Sequence, residues 1–211
     1  MGLKIFATPD PGTAGLNGDG LSDFYDLADT DAHSLGFQRA KGYTSINDLI
    51  AKIQGTLIIN PNDCLESLEI WAHGNPGVCN GFTAQNIATL GNQLKTWHKA
   101  ARLCDVVSIY LSGCNTGVWY AGNESLAQAL SRLTPTEAND NVRVNVYGSV
   151  GYLSGTKMQG NSNTFVETTV HGDYFTPFPA TTDNQGNVVH PGSTASQGAA
   201  SYRGFREGRS I

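Results

Sequence analysis

Two short apolar runs constrain this chain more than anything else in it. Leu68-Glu69-Ile70-Trp71-Ala72-His73-Gly74 and Val106-Val107-Ser108-Ile109-Tyr110-Leu111-Ser112-Gly113-Cys114 each have strand length, and each stops at a reactive side chain with a glycine beside it. Between them, Thr83 to Leu103 carries Ile87, Leu90, Leu94, Trp97 and Ala101 at alternating three- and four-residue steps. That spacing predicts one long amphipathic helix with a core-facing stripe. A strand–helix–strand unit closes as a right-handed crossover, so the two strands are expected to lie parallel and to end on the same sheet edge. His73 and Cys114 would then share the rim where open α/β sheets bind ligands. A thiol and an imidazole meeting there are the minimum equipment for nucleophilic catalysis.

The rest of the chain repeats the alternation. Leu3 to Ala7 reads as a first strand, closed by the Thr8-Pro9-Asp10-Pro11-Gly12 turn, and residues 12 to 44 read as a long surface excursion. Ser45 can cap a helix reaching Gln54, with Ile46, Leu49, Ile50 and Ile53 on one face; Thr56 to Ile59 reads as a short strand. After the second run, Asn123 can cap a helix through Leu126, Ala127, Leu130 and Leu133, and Arg143 to Ser149 is the next strand. Such a chain predicts an α/β fold, a mainly parallel sheet flanked by helices on both faces. Beyond residue 155 the pattern changes. Thr164 to Val170 alternates like a strand, Asp183 to Asn187 is a turn inside a hairpin, and Gly192 to Ala200 is small and polar. The expected organisation is therefore a core over 1–155 and an extension over 156–211, with a C-terminal β-hairpin and a mobile tail.

A length of 211 residues suits one domain with a proper core. A net charge of −5 argues against nucleic acid or an anionic membrane as the main partner. No apolar stretch approaches a membrane span, and no basic segment followed by an apolar run opens the sequence. The expected location is cytoplasmic, or exported without a classical signal peptide. Cys64, Cys79, Cys104 and Cys114 form no CxxC pair and match no zinc spacing, so reduced thiols are expected. Cys64 and Cys104 flank elements, and Cys79 falls in a loop. Asn17, Asp19 and Asp23, with Gly20 at the turn, partly match an oxygen-ligand calcium loop. The first-position acid is missing there, so a solvated turn competes with calcium binding.

A cysteine ending a buried strand is more often core than nucleophile. Three features favour the nucleophile here. Ser112-Gly113-Cys114-Asn115-Thr116 surrounds the thiol with small and polar residues, the following helix can lower its pKa, and His73-Gly74 ends the neighbouring strand in the same way. These residues resemble the caspase-like cysteine peptidases: caspases, legumain, gingipain, clostripain and the autoprocessing domains of bacterial toxins. The histidine precedes the cysteine by 41 residues, near the ~50 expected for caspases. Leu111-Ser112-Gly113-Cys114 is closer to the bacterial and toxin-domain versions than to the Gln-Ala-Cys signature.

That resemblance covers about Leu3 to Gly155 and implies a peptidase acting on protein or peptide, autoproteolytic or effector-like. Cys114 would be nucleophile, His73 general acid/base, and Gly74 a backbone donor to the oxyanion hole. Asp10 and Ser149 would wall the substrate pocket, Asp10 favouring a basic residue. No cofactor is implied. Toxin-type relatives bind an inositol polyphosphate, to which Arg203, Arg206 and Arg209 could correspond; a fluid tail is the simpler expectation for them. Two other readings stand beside this one. An α/β-hydrolase-like thiol hydrolase would place the nucleophile elbow at Cys114 and take its histidine downstream, from His171 or His190. A non-catalytic caspase-like binding module would keep the fold without the chemistry.

Overall fold

The computed structural model describes residues 1–10, 33, 36–75, 77–79, 82–113, 115–118, 124–149, 152–157, 165–170, 181–182, 188–189 and 202–211. In chain order these form β1 (Gly2–Pro9), β2 (Gln38–Tyr43), α1 (Ile46–Ile59), β3 (Cys64–Trp71), β4 (Gly74–Asn75), β5 (Val78–Cys79), β6 (Phe82–Thr83), α2 (Ala88–Lys99) and β7 (Leu103–Ser112). Then come α3 (Leu126–Ser131), α4 (Glu137–Asp140), β8 (Arg143–Ser149), β9 (Tyr152–Lys157), β10 (Phe165–Val170), β11 (Thr181–Thr182), β12 (Val188–Val189), β13 (Tyr202–Arg206) and β14 (Arg209–Ser210).

One seven-stranded sheet, ordered β14-β13-β8-β7-β3-β1-β2, organises the molecule. The strands from β2 to β8 in that order run parallel to their neighbours. β13 joins β8 antiparallel, and β14 folds back on β13. The mainly parallel α/β architecture is therefore as expected.

Side-chain alternation divides the sheet into unlike faces. Leu3, Ile5 and Ala7 of β1, Leu65, Leu68 and Ile70 of β3, Val107, Ile109 and Leu111 of β7, and Val144 and Val146 of β8 point into one core. Leu49, Ile53 and Leu57 of α1, Leu90, Leu94 and Trp97 of α2, and Leu126 and Leu130 of α3 meet them there. The expected helix layers on both faces are thus corrected for the described helices: α1, α2 and α3 pack together on one face. The opposite face carries Phe6, Ser67, Glu69, Trp71, Ser108, Tyr110 and Ser112.

Several local expectations also change. Thr56 to Ile59 is the last turn of α1, not a strand. Leu57 continues the buried spacing of Leu49 and Ile53, and Asn60 Nδ2 donates to Thr56 O at 2.8 Å beyond the helix end. The helix after β6 is shorter than the Thr83–Leu103 stretch. Thr83 N–H is held by Asn86 Oδ1 at 2.8 Å, and Ala101, at φ 53°, turns the chain left-handed at the other end. Gln38 to Tyr43 interrupts the supposed excursion as an edge strand. Ser125, rather than Asn123, caps α3, its hydroxyl accepting from Gln128 N–H.

Cys64 and Cys104 are joined in a disulfide, against the expectation of reduced thiols. Leu65 pairs with Leu103 across β3 and β7, which brings the two cysteines together at the N-terminal ends of these strands, 5.1 Å apart between Cα atoms. Beyond residue 155, Thr181–Thr182 pairs antiparallel with Val188–Val189, and β9 pairs with β10. Tyr202 to Ser210 is no fluid tail. Arg203 and Arg206 lie on β13 and Arg209 on β14, inside the main sheet. Gly192 to Ala200, the small and polar stretch expected to be mobile, lies outside the described residues.

Candidate active site

The C-terminal ends of the parallel strands make a single rim, with Tyr43, Asp10, His73, Gly113 and Ser149 placed along it from β2 to β8. Its centre is fixed by backbone pairing. Trp71 is the register partner of Ser112, and Ala72 N–H donates to Ser112 O at 3.2 Å. His73 follows Trp71 by two residues and is exposed. Cys114, the corresponding residue after Ser112, lies outside the described residues. Past His73 the chain turns into a three-stranded antiparallel ribbon, β4-β5-β6, with Gly74 opposite Cys79.

Gly113 needs its missing side chain. A Cβ there would sit 2.9 Å from Ala72 O, 3.1 Å from Cys79 Sγ and 3.2 Å from Gly74 Cα. The strand therefore leaves β7 packed against the residues on either side of His73. Cys79 was expected in an unfixed loop; it is instead fully buried on β5, with its thiol free of any disulfide.

After position 114 a tight turn is held by side chains. Asn115 adopts φ 57°, a conformation asparagine tolerates better than most residues. Thr116 Oγ1 lies 2.5 Å from Leu111 O and 3.1 Å from Gly113 O, and it accepts Ser149 N–H at 3.1 Å. Ser149 Oγ donates to Gly113 O. Gly117 and Gly148 come so close that a Cβ on Gly117 would lie 2.3 Å from Gly148 O. Ser149, expected at the pocket wall, is fully buried, and its hydroxyl bonds into the turn. Sequence reading missed Thr116 and Gly117, whose signal was only the small-polar composition of the segment.

Asp10 is half-buried just past β1, its N–H donating to Tyr43 O at 2.9 Å. It stands beside the His73 strand and two inter-strand spacings, about 10 Å, from the end of β7. Asn17, Asp19, Asp23, His171 and His190 lie outside the described residues. Among the described residues no group of three or more His, Cys, Asp or Glu side chains could hold a metal ion. His98 faces Asp140 Oδ1 at 3.6 Å on the helix side. No helix among the described residues is long and apolar enough to cross a membrane.

Just inside the rim, on the face away from the helices, lies a network that sequence reading did not anticipate. Tyr202 OH lies 2.8 Å from Ser112 Oγ, which donates to Glu69 Oε1 at 2.9 Å. Tyr110 stacks on Tyr147 at 4.7 Å and meets Tyr202 edge-on at 5.5 Å. Burial raises the Glu69 carboxyl pKa above its ordinary value, and the hydrogen bond from Ser112 offsets part of that rise. Comparison with protein-family models, curated proteins and solved structures finds no match to this chain.

Proposed function

We propose that this protein is a thiol peptidase working through Cys114 and His73. The observation that supports this reading most is the Trp71–Ser112 register, with Gly113 set against Ala72 and Gly74, because each reactive residue follows that pair by two positions. His73 protonates the leaving amine after Cys114 attacks the carbonyl carbon, and the Gly74 and Cys114 N–H groups receive the developing oxyanion. Asp10 selects a basic residue before the scissile bond. A thiol hydrolase using a downstream histidine, or a module without activity, would fit the same parallel sheet. Of the two expected locations, we favour export, since a disulfide between strand ends persists in an oxidising compartment.

The test is covalent capture. Native protein is treated with peptidyl acyloxymethyl ketones bearing arginine, leucine or aspartate at the reactive position, and the adduct is mapped by mass spectrometry. One adduct at Cys114 is expected, absent in Cys114→Ala and strongly slowed in His73→Ala. Capture unaffected by His73→Ala but lost in His171→Ala or His190→Ala would transfer the chemistry to the hydrolase reading. A folded protein that takes up none of the three would leave the non-catalytic module.

A further inference from the structure

The sheet face turned away from the helices holds a cavity of about 440 Å³, a volume typical of small-molecule sites. Its floor comes from three neighbouring strands in register. Lys4, Ser67 and Ser108 occupy one level, and Glu69 and Tyr110 the next. Glu66 reaches the lining as the extra residue of β3 where its register slips against β1. Phe37 supplies a wall and is itself braced edge-on against Phe6 at 6.1 Å.

Four polar side chains of this lining are uncommitted. Among the described residues, Lys4, Glu66, Ser67 and Ser108 have no hydrogen-bond or ion-pair partner, and Glu69 receives a bond at Oε1 alone. Ser67 is only 9% exposed and lines the cavity without a protein partner for its hydroxyl. One ammonium, one exposed carboxylate, one half-buried carboxyl and two hydroxyls give donors and acceptors in comparable number, with no dominant charge. A phosphate would be met by Glu66 and a polyamine by Lys4. Aromatic rings beside such a set suit a ligand whose edge is hydroxylated and whose ring face is apolar.

We propose that this cavity binds a neutral, hydroxyl-rich ligand of one or two pyranose rings. The cavity lies below the rim, with Tyr110 of its lining three residues, about 10 Å, from Gly113 along β7; its ligand would touch neither His73 nor Cys114, so it is tested separately from the peptidase reading. The test is an NMR titration of isotope-labelled full-length protein with methyl α-glucoside, N-acetylglucosamine and lactose, and separately with inorganic phosphate and with spermidine. Saturable shifts of the Ser67, Ser108 and Tyr110 amides with at least one sugar are expected. Ser108→Phe, which fills the cavity, should weaken that binding about tenfold or more, a ratio of dissociation constants read directly. Should the variant fail to fold, the wild-type shift map still decides. Response to phosphate or spermidine alone, sugar shifts confined to other residues, undiminished binding in folded Ser108→Phe, or no saturable response to any sugar would each overturn the proposal.

Discussion

Gly113 and Ser149 show how the end of a strand can be fixed by small residues. The glycine lets β7 leave the sheet against Ala72 and Gly74, and the serine hydroxyl holds the Gly113 carbonyl from the β8 side. Asp10 has a different status, since its carboxylate stands at the rim beside the His73 strand. If it receives a basic side chain, Asp10→Asn should lower catalytic efficiency toward arginine peptides by one to two powers of ten, about 1.5–3 kcal/mol for a charge-assisted contact. A positional peptide library compared between wild type and variant measures this. Unchanged selectivity for leucine or aspartate would remove Asp10 from the pocket. The positions of His73 and Gly113 at the rim were legible in the sequence, because an apolar run that stops at Gly or His marks a strand end wherever the strand lies. The commitment of Ser149 was not legible. It depends on how the turn through Thr116 closes onto β8, a contact between segments 33 residues apart.

Among the elements, α1 and the β3–β7 pair carry the most consequence. Reading Thr56 to Ile59 as a strand followed the β-branched residues; the burial of Leu57 at the helical interval from Ile53 outweighed that preference. Ile58 and Ile59 are left exposed, which explains why the stretch looked unlike a helix end. The disulfide was invisible for another reason. Cysteine spacing carries no pairing information until strand order is known, and β3 and β7 become neighbours only because α2 crosses over one face. Closing a loop of 40 residues, this bridge should stabilise the fold by about 3–4 kcal/mol in the chain-entropy account. Urea denaturation of the Cys64→Ser/Cys104→Ser double variant tests it. A midpoint equal to that of the wild type would mean that the bridge contributes nothing.

At the scale of the whole molecule the sheet is asymmetric, apolar under its helices and polar with aromatics on the other side. Strand and helix alternation could announce a parallel sheet; it could not assign helices to a face, because handed crossovers depend on strand order. Glu69 makes the asymmetry measurable. Its folded pKa is raised, so the folded state holds its proton more tightly than the unfolded chain does. The stability this contributes is complete below the ordinary glutamate value, about 4.3, and is lost as pH rises through the folded pKa. Among the described residues, Lys4, Glu66 and Tyr110 share the cavity with it, and Tyr202 reaches it through Ser112. Unfolding midpoints should therefore fall from mildly acidic toward neutral pH, and Glu69→Gln should flatten that slope; an unaltered slope would put its origin elsewhere. The antiparallel edge has a consequence in time. Arg206 Nε reaches Asn145 Oδ1 across 61 residues, so β13 can dock only after a long loop has closed. Until it does, β8 is a bare edge, and a refolding solution is then a mixture of template and prey: dilution should raise the recovered yield, whereas crowding the chains should turn an intramolecular partner into an intermolecular one.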